Sequence, residues 1–395
     1  MVRVRIMSTL LLQTLTSFFA TLIAVALLSR VAPALGLTDK PSSRKRHRGQ
    51  VPVVGGVSIF IALSIAGTLW GEAHQSLITV NGNDALWVFM LCGAFLVFTG
   101  ILDDRFQLGI FVRVLSEVMV AIAVIEFLDL QVAHLGDIFA VGMITIDPVL
   151  AYPFTVIAIF GIINAFNMLD GMDGLLGSLV ITTLVMFHLF TGTEPGFVSL
   201  AIGSALCAFL VSNLDLSPIV PKTFLGDAGS KLLGFIVVCL LLAAASSQVG
   251  AAKLIQPVTA LFIVALPLYD MVFTSLRRII RKGSSFTGDR SHIHHLMQNL
   301  QFSDRRALVL ILSIHLTMTF IGLMLHRANA PEYYQLAIFF GCFGLYGLLS
   351  SQLWLVAKRL DALTPSMPEQ LPGAALASSD TTTDSGRQNI TPMRK

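Results

Sequence analysis

Five aspartates stand where apolar segments of the chain give way to polar stretches rich in glycine and asparagine. They occur in GILDDRFQLGI, NAFNMLDGMDGLLGS and FLGDAGSKLLGF as Asp103, Asp104, Asp170, Asp173 and Asp227. Carboxylates gathered in one place repel one another unless they face a cation. Oxygen ligands without a thiolate favour Mg²⁺ or Mn²⁺, and Mg²⁺ usually completes its shell with substrate phosphates. If these aspartates meet, the pattern predicts metal-assisted phosphoryl transfer.

Cationic side chains occur in two further polar stretches. The first, TDKPSSRKRHRGQV, covers residues 38–51, and the second, RRIIRKGSSFTGDRSHIHHLMQNLQFSDRR, covers residues 277–306. Arginine, lysine and histidine can hold phosphate oxygens. The glycines of the acidic stretches allow the backbone to approach a ligand closely. The two basic stretches are therefore candidates for binding a phosphorylated substrate.

Each of these signals also has a structural explanation. Paired aspartates are common at helix ends, and an Asp-Gly pair indicates a turn first. Asp270 is harder to explain in that way, because it lies inside an apolar segment, where a carboxylate is costly and a functional candidate by default. Glu117 also lies inside an apolar segment and is likewise a functional candidate; the alternative is that it forms a structural salt bridge. The catalytic hypothesis therefore depends on these groups lying together.

The chain segments that must bring the acidic and basic residues together are apolar. Of the 395 residues, 55% are hydrophobic and 12% are charged, whereas a soluble domain carries about 25% charged residues. This composition excludes a soluble enzyme, a disordered chain and a nucleic-acid-binding protein. The net charge of +3 is too small to imply a polyanionic partner, and the four cysteines lie in apolar stretches without metal-ligand spacing. The chain is predicted to be an integral membrane protein.

A membrane-spanning helix needs roughly 20 mostly apolar residues. The sequence contains eleven such segments, at 8–29, 52–70, 85–102, 112–130, 151–166, 174–191, 196–213, 231–247, 256–276, 307–326 and 334–357. The predicted fold is thus an all-α polytopic membrane protein of about eleven transmembrane helices. It occupies residues 1–360, and residues 361–395, rich in Pro, Ser, Thr and Ala, form a disordered cytoplasmic tail.

The distribution of basic residues predicts the orientation. Successive connections between the predicted spans lie on opposite sides of the membrane. Counted in this way, one side carries 22 Lys and Arg residues and the other carries 4. Because cytoplasmic loops carry the excess of Lys and Arg, we expect a periplasmic N-terminus and a cytoplasmic C-terminus. The same alternation puts all five polar stretches on the cytoplasmic face, although the spans were identified from apolar runs alone.

The ordered motifs resemble those of the polyprenyl-phosphate N-acetylhexosamine-1-phosphate transferases, the superfamily that contains MraY and the WecA-type enzymes. The motifs are DKPSSRKRHRGQVPVVGG, GILDDRFQLG, NAFNMLDGMDGLLGS, FLGDAGSKLLGF, PLYD and DRSHIHHL, which extend from about residue 39 to residue 296. The chain is most similar to the WecA branch. It carries RKRH before PVVGG, and Leu296 stands where MraY has a third consecutive histidine.

The resemblance implies transfer of N-acetylglucosamine-1-phosphate from UDP-N-acetylglucosamine to undecaprenyl phosphate, with release of UMP and with Mg²⁺ or Mn²⁺ as cofactor. This reaction initiates the synthesis of lipid-linked surface glycans. The implied location is the bacterial inner membrane, with the active site facing the cytoplasm. The expected partners are the two substrates and membrane lipid, without nucleic acid, and a homodimer is left open.

The resemblance also implies roles for individual residues. The implied metal ligands are Asp227 and Asn167, and the implied catalytic residues are Asp103, Asp104, Asp170 and Asp173, the first two beside the lipid phosphate. The implied substrate-binding residues are Asn164, Asn213, Arg290, His292, His294, His295, Lys45, His47 and Asp270. Because the second pKa of a phosphate monoester is near 6, the lipid phosphate is mostly dianionic at pH 7. Direct attack is therefore favoured over a covalent aspartyl intermediate.

Two alternatives stay open at this point. A sister transferase, including an MraY-like one, would use another UDP-N-acetylhexosamine, and the side chains that read the sugar cannot be placed from one sequence. A secondary transporter would show ionisable residues near the middle of the membrane and an internal repeat. The aspartates instead crowd one interface, and no repeat of fixed period is visible.

Overall fold

The protein is described by a computed structural model, which covers residues 2–39, 49–70, 84–246, 254–280 and 292–363. This part of the chain is mostly helical, with two short antiparallel strand pairs. The elements in chain order are α1 (Val2–Leu35), β1 (Thr38–Asp39), β2 (Val51–Pro52), α2 (Gly55–Trp70), α3 (Asp84–Phe106), α4 (Ile110–Leu128), β3 (His134–Gly136), β4 (Ile144–Thr145), α5 (Pro148–Leu169), α6 (Leu175–Thr191), α7 (Phe197–Asn213), α8 (Gly226–Ser246), α9 (Pro257–Ile263), α10 (Ala265–Ile280), α11 (Ile293–Asn299), α12 (Asp304–Arg327) and α13 (Glu332–Leu363).

Every predicted apolar segment lies on a helix, and the ninth lies on the pair α9 and α10. Within the described residues, six helices are long and apolar enough to cross a membrane, or seven if the bent pair counts as one span. Helices α2, α6 and α7 are apolar but shorter. The chain is therefore a polytopic helical membrane protein, and the number of eleven spans and the orientation of the termini stay predictions.

The segment predicted as one span over residues 256–276 is broken in the structure. Helices α9 and α10 meet at an angle of 84°, and Val264 separates them. Pro267 explains the break, because it lacks an N–H group and its ring clashes with the carbonyl group four residues earlier, that of Ile263. The bend directs α10 away from α9 and leaves Ile279 and Ile280 exposed at its end.

Helix α8 is the centre of the bundle. All of its residues from Ala228 to Ala245 are buried, and small residues let its neighbours approach closely, as is common between membrane helices. A side chain on Gly56 of α2 would collide with Gly229, and one on Gly100 of α3 would collide with Ala228. These contacts fix the N-terminus of α8 beside the ends of α2 and α3.

The chain segment before α8 pairs with the segment before α2. Val53 and Phe224 form a parallel bridge, and the backbone N–H groups of Gly55 and Gly56 donate to the carbonyl oxygens of Phe224 and Leu225 at 2.9 and 3.0 Å. Strands β1 and β2 pair on either side of residues 40–48. The described residues on either side of the basic stretch therefore lie close to the segment before α8, and Lys45 and His47 lie outside the described residues.

Candidate active site

Asp104 lies at the end of α3 and caps the N-terminus of α8. Its carboxylate accepts the backbone N–H of Asp227 at 3.0 Å and that of Ala228 at 3.5 Å. The first N–H groups of a helix have no partner within the helix and carry a partial positive charge, so an anion is stabilised there. Gly226 is required at this turn, since its φ is +73° and a side chain would collide with Asp104.

Asp103 has a different environment, although it is the adjacent residue. Its side chain is fully buried, and Arg113 pairs with Oδ1 at 2.7 Å while the N–H of Leu108 donates to the same oxygen at 3.0 Å. Lys231 Nζ lies 3.4 Å from Oδ2. The Asp227 side chain lies nearby on α8, close enough for the two carboxyl groups to influence each other electrostatically. Asp103 is therefore fully buried and paired with cationic side chains, whereas Asp104 is half-buried and accepts two backbone N–H groups.

A buried charge network continues inward from Asp103. Lys231 Nζ lies 3.6 Å from Glu117 Oε1, and Glu117 accepts a hydrogen bond from Asn164 Nδ2. Asn164, predicted to shape the substrate pocket, also donates to the carbonyl oxygen of Phe160 at 2.9 Å. Its amide therefore serves the network within the bundle. Glu117 does take part in a salt bridge, which was the structural alternative for this residue.

The two predicted metal ligands lie close together at the first turn of α8. Asp227 stands in that turn and is half-buried. Asn167 lies near the end of α5, and its Oδ1 accepts a hydrogen bond from Ser230 Oγ at 2.6 Å. Because an amide oxygen has two lone pairs, Asn167 keeps capacity for a further partner. Ser230 thus holds Asn167 within one helical turn of Asp227.

The loop between α5 and α6 carries Asp170 and Asp173. Surrounding protein atoms withdraw water from Asp170, and Asp104 and Asp173 lie nearby, so the pKa of Asp170 is raised to about 7. Lys222 Nζ pairs with Asp173 Oδ2 at 2.5 Å. The carboxylates of the α5–α6 loop and of α3 therefore influence one another, and Asp104 connects them to α8, as the hypothesis of a common site required. Lys222 was counted only among the topology-determining charges in the sequence.

Asn213 joins this loop to the segment before α8. Its Oδ1 accepts the N–H of Gly174 at 2.6 Å, and its Nδ2 donates to the carbonyl oxygen of Thr223 at 2.9 Å. The side chain is buried, and both polar ends are occupied by backbone groups. Asn213 therefore shapes the site by fixing two loops rather than by presenting its amide to a ligand.

Asp270 organises the histidine motif from inside the protein. Its Oδ2 accepts from His292 Nδ1 at 2.7 Å, and its Oδ1 accepts from the N–H of Ile293 at 2.9 Å and from Tyr346 Oη at 2.7 Å. Arg278 Nη2 donates to the other nitrogen of His292 at 3.3 Å. Asp270 is 2% exposed, so this residue, predicted to bind substrate, instead orients His292 and the start of α11.

The histidine motif reaches the acidic loop through His294. The His292 and His294 rings are parallel with centroids 5.9 Å apart, and the His294 and His295 centroids are 4.2 Å apart. A side chain on Gly171 would collide with the buried His294 ring. Burial and the neighbouring His295 lower the pKa of His294 to about 3, so His294 is neutral near pH 7. Arg290 lies outside the described residues.

The donor set fits a cation that is completed by substrate. In the described part of the chain, no three His, Cys, Asp or Glu side chains stand close enough to form a metal cage. Mg²⁺ does not need such a cage, because it is usually bound through one or two carboxylates, waters and substrate phosphates. Asp104 and Asp227 supply half-buried carboxylates, and among the described residues neither makes an ion pair.

Known bacterial proteins of one family are similar to this chain over most of its length. Residues 86–245 match the sequence profile described as glycosyl transferase family 4. The chain is 37% identical over 335 residues to an undecaprenyl-phosphate alpha-N-acetylglucosaminyl 1-phosphate transferase of Yersinia pestis, covering 83% of this chain and 88% of the relative. It is 36% identical over 361 residues to the enzyme of that name from Escherichia coli K12, covering 89% and 92%. The corresponding protein of Haemophilus influenzae is 32% identical over 354 residues, covering 88% and 96%. The chain therefore belongs to the family of these bacterial sugar-phosphate transferases, within glycosyl transferase family 4.

Proposed function

We propose that this protein transfers N-acetylglucosamine-1-phosphate from UDP-N-acetylglucosamine to undecaprenyl phosphate and releases UMP. The observation that carries the proposal is the meeting of the acidic, asparagine and histidine motifs at one end of the bundle. The names of relatives that match over more than four fifths of the chain support the choice of substrates.

The reaction is a direct displacement at phosphorus. An oxygen of the lipid phosphate attacks the β-phosphorus of the UDP-sugar, and the bond from that phosphorus to the bridging oxygen breaks. The electron pair goes to the α-phosphate of the departing UMP. Since the lipid phosphate is mostly dianionic at pH 7, no strong base is needed, and charge neutralisation with in-line positioning supplies most of the catalysis.

Mg²⁺ or Mn²⁺ would be held by Asp227, in the first turn of α8, and by Asn167, near the end of α5. Asp104 caps the N-terminus of α8 beside them. When bound, the cation neutralises the charge of the pyrophosphate. Asp170 and Asp173 line the same loop, and Lys222 offers a cation that can move from Asp173 to a phosphate oxygen. His294 and His295 reach this loop from α11. Asp103, fully buried and paired with cationic side chains, positions the end of α3 rather than accepting a proton from the substrate.

The lipid substrate has an approach to this site through α10. The helix bends away from α9 and exposes Leu276, Ile279 and Ile280 beside its basic last turn. An exposed apolar surface of this kind suits the hydrocarbon chain of a lipid substrate. We place this end of the bundle at the cytoplasmic face of the bacterial inner membrane, in accordance with the 22 basic residues expected there.

The test uses purified protein with labelled UDP-N-acetylglucosamine and undecaprenyl phosphate. We expect UMP release that requires both substrates, that stops with a chelator and that returns when Mg²⁺ or Mn²⁺ is added. UDP-N-acetylgalactosamine and UDP-N-acetylmuramoyl-pentapeptide are assayed in parallel. Faster turnover of either would assign the chain to a sister transferase, and the absence of UMP release with every donor would contradict the proposal.

A further inference from the structure

Lys231 is a buried lysine that no part of the proposed reaction uses. It is 1% exposed, and it follows Asp227 by four residues in α8, so the two side chains lie on one face of the helix a turn apart. A buried ammonium group is tolerated only when it is paired. Lys231 has two carboxylate partners, Asp103 at 3.4 Å and Glu117 at 3.6 Å, which come from α3 and α4.

Asp103 connects this lysine to the candidate metal ligand. One of its oxygens faces Lys231, and the next residue, Asp104, accepts the backbone N–H of Asp227 at 3.0 Å. Asp103, Asp104 and Asp227 are close neighbours here, and carboxylates repel one another when they are charged, so a cation on the inner side helps to hold Asp103 in place. Arg113 serves the other oxygen of Asp103. Lys231 therefore supports Asp227 indirectly, from within the bundle.

Glu117 connects Lys231 to helix α5. It accepts a hydrogen bond from Asn164, which lies one turn before Asn167, the other candidate metal ligand. Ser230, adjacent to Lys231, donates to Asn167 directly. Ser230 thus contacts the candidate ligand Asn167 itself, and Lys231, the next residue of α8, contacts Asp103 and Glu117. These contacts involve groups on four helices, α3, α4, α5 and α8, and they converge on one turn.

We propose that Lys231 is a positioning residue that acts through Asp103 and Glu117 to hold Asp227 and Asn167 in the geometry that binds a divalent cation. This inference rests on the proposed function for the identity of the cation. It makes a distinctive prediction for a substitution that keeps the net charge of the network. If Lys231 acted only by its charge, such a substitution would leave cation binding unchanged. A positioning role predicts weaker binding instead.

The experiment uses the charge-balanced variant Lys231→Met with Glu117→Gln in the full-length protein. This double substitution removes one positive and one negative charge, so the net charge of the network is unchanged. Mn²⁺ binding is measured directly from the electron paramagnetic resonance signal of free Mn²⁺, and kcat and KM are measured at saturating Mn²⁺. Because loss of a group that orients metal ligands typically costs 10–100-fold, we expect the Mn²⁺ dissociation constant to rise about 10–100-fold. We also expect kcat to fall by a similar factor while KM for the UDP-sugar changes less than about threefold.

The control is Thr259→Val with Gln335→Leu, which removes the buried hydrogen bond between those side chains (2.8 Å) far from the site. It should leave Mn²⁺ binding unchanged. Mn²⁺ binding and kcat of the double variant equal to those of the wild type, or tighter Mn²⁺ binding, would overturn the positioning role. If the double variant does not accumulate, Lys231→Gln with Glu117→Gln replaces it under the same criteria. Wild-type protein that binds Mn²⁺ without turnover would instead count against the proposed function.

Discussion

Two regions place aspartates at the same end of the bundle: the carboxylate region around Asp104 and Asp227, and the histidine region around Asp270. The aspartates of the two regions differ in how many hydrogen-bond donors their oxygens receive from the protein. Asp270 receives three donors from the protein. Asp104 receives two backbone N–H groups, and neither it nor Asp227 makes an ion pair within the described residues. The first arrangement is complete, and the second has capacity for a cation. Aspartates therefore differ in role according to the partners that the fold supplies.

The largest expected effect is that of Asp227→Asn on turnover. The substitution keeps the shape of the side chain and removes the charge that would face the proposed cation. If it removes about 4 kcal/mol of transition-state stabilisation, kcat falls on the order of a thousandfold. UMP release measures the effect. Asp215→Asn is the control, since Asp215 is exposed in the segment between α7 and α8. Near-wild-type rates for Asp227→Asn would remove Asp227 from the metal site.

A smaller effect is expected for Asp270→Asn. The carboxylate of Asp270 accepts hydrogen bonds from His292 and from the N–H of Ile293. An amide nitrogen in place of one of its oxygens cannot accept such a bond, so His292 and the start of α11 lose their orientation. We expect kcat to fall about 10–100-fold, as for other residues that orient a site, while Mn²⁺ binding stays within about threefold of the wild type. A loss of Mn²⁺ binding equal to that of Asp227→Asn would erase the distinction between the two regions.

Tyr346→Phe sharpens the same distinction with a milder change. It removes the hydroxyl group that donates to Asp270 and keeps the buried ring. A hydrogen bond to a charged group contributes about 1.5–3 kcal/mol, and since only part of that reaches the transition state, kcat should fall at most about tenfold. Tyr334→Phe, at an exposed position of the same helix, is the control. When Asp270 is already replaced by Asn, Tyr346→Phe should lower kcat by a smaller factor than it does in the wild type. If the two substitutions lowered kcat independently, Tyr346 would not act through Asp270.

The smallest effect concerns pH and stability. The folded-state pKa of Asp170 is about 7, above the unfolded value of about 3.9, so folding favours the protonated form. Its contribution to the free energy of unfolding is complete below about pH 4 and is lost as pH rises through 7. We expect the Tm of chelator-treated protein to fall between pH 5 and pH 8, and Asp170→Asn to reduce that fall. An identical slope in the variant would show that Asp170 does not contribute.

Much of this architecture could be predicted from the amino-acid sequence. Hydropathy located every long apolar helix, and the meeting of the acidic and histidine motifs followed from their positions at alternate ends of those helices. The contact of His294 with Gly171 and that of Asp104 with the N-terminus of α8 agree with that expectation. The bend at Val264 was not predicted, although Pro267 is the residue that causes it, because a proline inside an apolar run can also be accommodated in a kinked span.

The sequence alone thus determined the helices, the end of the bundle that carries the polar groups, and the family, because apolar runs and ordered motifs are local properties of the chain. Only the tertiary structure separated Asp103 from Asp104, directed Asp270 inward, and showed what Lys231 contacts. The physical reason is that neighbouring residues on a helix point about 100° apart. What each one meets is then decided by side chains that arrive from other helices.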